Sequence, residues 1–327
     1  MRKLVLVLAL FLGAVSYALS EGRKIQMDMV SVPGAKVQGG ETNRIWNLDG
    51  AFTAPRSLNV AAFQLGRFEV TKKQYRAVME GNELGLTLDP SFSSSDPFSK
   101  VCPGEIDEER PVEGVTWYDA VYFCNRLSVL SGYREAYVIS SPYIEDGHIL
   151  SADVTPVAAS NGYRLPTEVE WEFAARGAKP KSNVWSYAYA GVDTVLDRSP
   201  SAERPDIDAS QDSVAWYCYN CCNGGVTGEE ICSEGVTGWG SHQTGMKQPN
   251  SLGLYDMSGN VWEWCWDRYA VIDEMTPIEG ASFGDLRCCR GGSWYCAASC
   301  SCVSRRGGDI TDRKSSYIGF RVARTVR

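Results

Sequence analysis

Residues Asn250–Tyr269 read NSLGLYDMSGNVWEWCWDRY, and the fold follows from how that stretch is read. Trp262, Trp264 and Trp266 share a parity, so in an extended chain all three project to one face. Asp256, Gly259 and Asn260 come just before them. Ser-Gly-Asn tolerates positive φ, which predicts a turn leading into a tryptophan-anchored strand. The same turn is rich in carboxylate and carbonyl oxygen and runs into Glu263, which is the donor chemistry of a hard divalent cation.

Working outward, three helices are predicted by one device. Thr71-x-x-Gln74, Thr116-x-x-Asp119 and Thr167-x-x-Glu170 each place a hydroxyl three residues before a side chain able to reach back. Tyr75 and Met79 then share a helical face, as do Trp117, Val121 and Cys124. Trp171, Phe173 and Ala174 lead to Gly177, a helix stop. These read as packing helices without chemistry. Residues 26–70 alternate in polarity with Gly and Pro punctuation and predict short strands. Residues 133–162 suggest a hairpin, and 86–102 and 178–212 read as loops. Residues 213–245, irregular and cysteine-rich, are expected to lie against the equally irregular C-terminal segment.

The apolar content, 44% with ten tryptophans, suits one large core. Residues 1–20, MRKLVLVLALFLGAVSYALS, combine Arg2 and Lys3 with an apolar run and small residues, the pattern of a secretory signal peptide. The run is too short and too early for a bilayer span. A secreted, periplasmic or cell-surface protein is expected. Loss of Arg2 and Lys3 takes the net charge from −8 to −10. An acidic, exported chain with no basic run excludes nucleic acid and anionic lipid as partners. Twelve cysteines are bunched toward the C-terminal third rather than spaced as a disulfide framework. His148 and His242 are the only histidines and read as ordinary polar residues, so a zinc site is not expected.

GLYDMSGNVWEW resembles the signature of the formylglycine-generating enzyme (sulfatase-modifying factor) family. MVSVPG (29–34), GRFEVTKKQY (66–75), YRLPTEVEWEFAARG (163–177), RGGSW (290–294) and IGFRVAR (318–324) agree in order, so the resemblance spans residues 26–327. It implies one α+β domain, an irregular variant of the C-type lectin fold, in a family of enzymes and non-enzymes. It also implies a structural Ca2+ site formed by the Asp256 carboxylate, the carbonyls of Gly259 and Val261, and Glu263, all oxygen donors.

The family's enzymes oxidise a substrate cysteine to formylglycine with Cu(I) held by two cysteine thiolates after a GGS motif. Here the first position is Cys296 and the second is Ser301. A neutral hydroxyl is a poor ligand for soft Cu(I). Copper chemistry would need Cys300 brought to Cys296 by a rearranged loop, so a non-catalytic protein is expected, with the copper oxidase as the alternative.

RGGSW and IGFRVAR bracket a segment, within 287–318, that fits no core pattern. Tyr295, Cys296, Ser299, Cys300, Ser301, Gly307, Gly308, Asp309, Ile310, Ser315, Ser316 and Tyr317 are each reachable from an Asn codon by replacing adenines alone; Trp294 and Lys314 are not. That resembles the variable proteins of diversity-generating retroelements and implies a binding surface for a protein or glycan ligand. Tyrosine suits such a surface because it offers large contact area at low entropic cost.

Overall fold

The computed structural model describes residues 25, 27–40, 50–95, 101–193, 209–218, 220–221 and 240–326; the expected signal peptide lies outside them. Helices α1 (Lys72–Met79), α2 (Trp117–Leu130) and α3 (Glu168–Ala175) start at Thr71, Thr116 and Thr167, each a complete capping box. Two backbone N–H groups at each helix start are thereby satisfied reciprocally. After α3, Gly177 adopts φ +76° and its N–H donates to Ala174 O, so the helix stops where the glycine predicts. One further turn of helix, α4, covers Ala209–Asp212.

The strands are β1 (Met29–Val32), β2 (Ala35–Gln38), β3 (Ser57–Val60), β4 (Phe63–Gly66), β5 (Tyr137–Glu145), β6 (His148–Pro156), β7 (Tyr163–Arg164), β8 (Trp262–Arg268), β9 (Leu286–Arg290), β10 (Arg306–Ile310), β11 (Ile318–Gly319) and β12 (Ala323–Thr325). One sheet has the order β10-β9-β8-β11, with only β11 parallel to its neighbour, and a second has the order β1-β4-β12-β7. Strands β5 and β6 form the expected hairpin, and β2 pairs with β3.

Strand β8 sits between α2 and α3. Its tryptophan face packs on α2: the Trp117 indole donates to Cys265 O at 2.9 Å, Trp264 donates to Val115 O, and the Trp117 and Trp266 rings lie 5.3 Å apart. Burying a ring of that size contributes about 4–6 kcal/mol of gross transfer free energy. The opposite face carries Glu263, Cys265 and Asp267 and is buried as well. Trp171 of α3 donates to Glu263, and the amide of Glu168, at the α3 N-terminus, donates to Asp267. The tryptophans therefore mark a central strand covered on both sides, whose polar residues are held by partners distant in sequence. The ten described cysteines carry thiols; Cys288 and Cys289 point to opposite sides of β9, into different core clusters.

Candidate functional site

The turn before β8 orders everything above it. Asp256, Gly259 and Asn260 have φ of +55°, +83° and +62°. A Cβ on Gly259 would lie 2.1 Å from Trp216 O, so no other residue fits there. Gly259 donates to Gly291 O, Asn260 donates to Trp216 O, and Trp294 donates to Asn260 O. The signature turn thus ties RGGSW to Trp216, the adjacency expected for the start of the cysteine-rich segment 213–245, of which residues 219 and 222–239 lie outside the described ones. Cys218 N donating to Cys296 O completes it.

Trp262, at the start of β8, is the centre of the outer face. Its indole N–H donates to Cys296 Sγ at 3.3 Å and its amide to Tyr317 O at 2.8 Å. A Cβ on Gly307 would stand 3.2 Å from its ring, and one on Gly308 would stand 2.5 Å from Tyr269. The backbone of Gly307 is packed against the Trp262 ring and that of Gly308 against Tyr269, so a side chain at Gly308 would collide with the tyrosine. Tyr295, half exposed, stacks on Tyr317 with centroids 5.9 Å apart. Ser299, Gly308 and Ile310 are exposed, and Cys296, Cys300, Gly307, Asp309, Ser316 and Tyr317 are half-buried.

Two of the residues expected on this surface lie elsewhere. Ser301 is fully buried under the Gly292 turn, where φ is +75° and a Cβ would meet Cys300 O at 2.7 Å. Ser315 is buried, its carbonyl accepting from Gly114 N. Nor does the whole segment lie outside the core. Cys302, Val303 and Ser304 are buried, and Arg290 donates to the carbonyls of Val303 and Ser304 at 2.7 and 3.1 Å while pairing with Glu172. The middle of the segment is clamped, and its two arms project to the surface.

Cys296 and Cys300 do meet. The Cys300 thiol hydrogen-bonds to Cys296, and with Ser293 and Trp262 this outweighs burial and brings Cys296 down to about 6. Cys300, the donor of the pair, is pushed up. The pair is held by one shared hydrogen bond, with Cys296 the acceptor and Cys300 the donor.

Beneath the turn, Arg321 grips Glu263 with two 2.6 Å bonds, and Trp171 takes one of the same oxygens at 2.7 Å. Glu69 accepts from Asn260 and Val261, and Asp256 accepts from Gly245 N, leaving Asp256 Oδ1 buried without a partner. Three buried carboxylates thus share one guanidinium. Burial first, and then the neighbouring carboxylates Asp256 and Glu263, push Glu69 well up. Burial, only partly opposed by the Gly245 amide, raises Asp256 to about 6. The surplus negative charge and the orphaned oxygen fit a hard divalent cation. Glu263 has its strongest bonds to Arg321, which the sequence did not signal because the two are 58 residues apart.

Sequence reading also missed Trp262 as part of the outer face and Tyr269 as the ring under Gly308. Alternation assigned Trp262 to the core, and nothing marked Gly307 and Gly308 as lying over rings. Of the histidines, His148 pairs with Asp119 at 2.7 Å inside the α2 cap, an ordinary structural role, whereas His242 stands beside Cys102 and Glu105.

A domain of this architecture, with the GGSW turn bound to the NVWEW strand, is of the formylglycine-generating enzyme type. The chain belongs to the family described as the sulfatase-modifying factor enzyme 1-like domain, which it matches over residues 17–326. It is 28% identical to a chaperone protein LppX from Paenibacillus barcinonensis across 99% of this chain and 100% of that one. It is 27% identical to a formylglycine-generating enzyme of Thermomonospora curvata, covering 92% of this chain and 94% of the enzyme. Among solved structures it resembles variable protein 1 of Treponema denticola, with a TM-score of 0.67, 28% identity, and coverage of 90% and 94% of the two chains.

Proposed function

We propose that this is an exported, non-catalytic binding protein that displays a variable ligand surface on a formylglycine-generating-enzyme scaffold, facing a protein or glycan outside the cytoplasm. The observation that carries this reading is convergence. Tyr295, Cys300, Asp309 and Tyr317 come from separate turns and a strand to the side of the sheet that carries Trp262: Tyr295 stacks on Tyr317, Cys300 bonds to Cys296 beside the Trp262 indole, and Asp309 shares the face of Gly307, whereas Gly308 and Ile310 alternate to the other side. The clamp of Arg290 on Val303 and Ser304 isolates that face from the core. Aromatic anchors among small polar residues form a binding surface of the kind that concentrates affinity in a few residues. Likeness to a variable protein of the same fold agrees with it. No helix among the described residues is long and apolar enough to cross a membrane. A calcium ion at Asp256, Gly259, Val261 and Glu263 has a structural part in this reading, bracing the turn that carries Trp262.

The test is a displayed library randomised at Tyr295, Ser299, Cys300, Asp309 and Tyr317 and selected against a soluble test protein such as lysozyme. Most members should stay folded and binders should be recovered. A library that largely unfolds refutes the reading.

The meeting of Cys296 and Cys300 favours a second reading, a copper-dependent oxidase. A cysteine-containing sulfatase peptide given Cu(I), oxygen and reductant should gain no aldehyde with this protein. Formylglycine that disappears in Cys296→Ala would make the enzyme the better account.

A further inference from the structure

On the far side of the signature turn from β8, three side chains with metal-ligating atoms converge that belong to neither the outer face nor the carboxylate cluster. Cys102 Sγ lies 3.3 Å from His242 Nδ1, and Glu105 Oε1 lies 2.8 Å from the same nitrogen. All three donor atoms fall within 4.8 Å of one another. The local sequence accounts for the pairing of the first two. Pro103-Gly104 makes a turn in which Glu105 N donates to Cys102 O at 3.0 Å, so residues 102 and 105 present their side chains together.

His242 is held from three directions. Asn260 binds its backbone N–H at 2.8 Å and its carbonyl at 3.2 Å, so the residue that shapes the signature turn also fixes the imidazole. Trp216 stacks on the ring at 3.6 Å and 11°, with Lys247 over the Trp216 ring at 3.8 Å. The second oxygen of Glu105 is fixed by Gln243 N at 2.8 Å. These are outer contacts of the kind that orient ligands before an ion arrives.

A single imidazole nitrogen bears either one proton or one lone pair. Donated to the carboxylate oxygen, that proton reaches the thiol sulfur only as a weaker shared bond, whereas one cation accepts all three donors in full. Zinc bonds of about 2.3 Å to sulfur and 2.0–2.2 Å to nitrogen and oxygen place tetrahedral ligands roughly 3.3–3.6 Å apart; the Cys102–His242 spacing of 3.3 Å matches, and Glu105, now at 2.8 Å from the imidazole, needs to part from it by only about half an ångström. A thiolate and an imidazole disfavour calcium and magnesium and suit zinc. Three protein ligands leave a fourth position, and the half-buried Cys102 and Glu105 form the side from which water can fill it.

We propose that Cys102, Glu105 and His242 form a zinc site, built on the signature turn and separate from both the Glu69, Asp256 and Glu263 carboxylates and the outer face around Trp262. The ion would tie the 101–106 turn to the segment entering β8, joining parts of the chain 137 residues apart or more.

Cobalt(II) is the probe, because thiolate ligation gives a sulfur-to-metal charge-transfer band and tetrahedral geometry gives intense visible bands. Titrating the reduced full-length chain should produce both at one equivalent, and zinc should displace the cobalt and raise Tm. Cys102→Ser should abolish the charge-transfer band. Glu105→Gln should weaken binding by more than about tenfold, since even outer partners are worth that much. Cys296→Ser with Cys300→Ser should leave the spectrum unchanged, which separates this site from the outer dithiol. If His242→Ala fails to fold, Cys102→Ser at its half-buried position still decides. The proposal is overturned if no charge-transfer band appears, if the band survives Cys102→Ser, or if it is lost with the Cys296 and Cys300 pair.

Discussion

Glu263 and Trp262 are neighbours on one strand, and they border two regions of opposite character. Inward of Glu263, every substitution disturbs partners brought from afar: Arg321, Trp171, and across the turn Asn260 and Glu69. Outward of Trp262, Tyr295, Ser299 and Ile310 are exposed on turns and a sheet edge. Residue type does not make the difference. Serine is buried and constrained at Ser293 yet exposed at Ser299, and cysteine is buried at Cys302 yet half-buried at Cys300. Constraint follows the number of fixed partners, so a scaffold of this kind can hold its core strictly and vary its face.

The strongest way to break that contrast is at Arg321. Arg321→Ala leaves Glu263 buried without its cation, and removing one member of a buried pair costs about 3–5 kcal/mol. Urea unfolding should show a loss of that size, and Glu263→Ala should be comparable. A loss below about 1 kcal/mol would mean that the deep region is as tolerant as the surface, and the contrast would fail.

Calcium comes next. If the ion braces the turn, chelation should lower Tm. At a hundredfold excess over Kd a bound ligand adds about 2.7 kcal/mol. Asp256→Ala, which removes the orphaned Oδ1, should abolish the sensitivity. No response to chelator in protein first shown to be calcium-loaded would mean that Arg321 alone balances the cluster.

What could be read in advance followed the range of each signal. Thr71-x-x-Gln74 and its two counterparts act across three residues, and all three caps formed. The tryptophan period of two and the positive-φ turn are equally local, and both appeared as expected. The burial of Glu263 and Asp267 was not legible, because their partners Arg321 and the α3 amides are distant in sequence and a charged side chain ordinarily reads as solvent-facing. The outer face was half legible. Its residues stood out for fitting no core pattern, but the clamped stretch Cys302–Ser304 and the buried Ser301 and Ser315 looked no different from their exposed neighbours. Partners distant in sequence separate them: Arg290 holds Val303 and Ser304, the Gly292 turn covers Ser301, and Gly114 N binds the Ser315 carbonyl.

On the surface itself, Ser299→Tyr and Ile310→Ser should each change stability by no more than about 0.5 kcal/mol, the usual range for exposed positions away from special features. Thermal melts of the double variant would sharpen the contrast by showing whether these small effects add. A loss of several kcal/mol would assign those residues to the core.

The smallest expected effect is chemical rather than energetic, and it reads the one place where the face has internal order. An ordinary thiol ionises near about 8.5. Cys296 is held at about 6, first by the Cys300 thiol donating to it and then by Ser293 and the Trp262 indole, with burial opposing them. A depressed acid favours folding above its unfolded pKa, and that contribution is lost as pH falls through about 6, so the face should loosen slightly on acidification. The direct readout is alkylation by iodoacetamide followed by mass spectrometry. The rate at Cys296 should rise with a midpoint about 6, while the partnered Cys300 reacts slowly throughout. Cys300→Ala removes the main donor and should move the midpoint toward the ordinary thiol range with Tm unchanged. An unmoved midpoint would mean that Ser293 and Trp262, both on the scaffold, hold the thiolate by themselves. The order at Cys296 would then belong to the constrained region, and the boundary between the two regions would lie one residue further out.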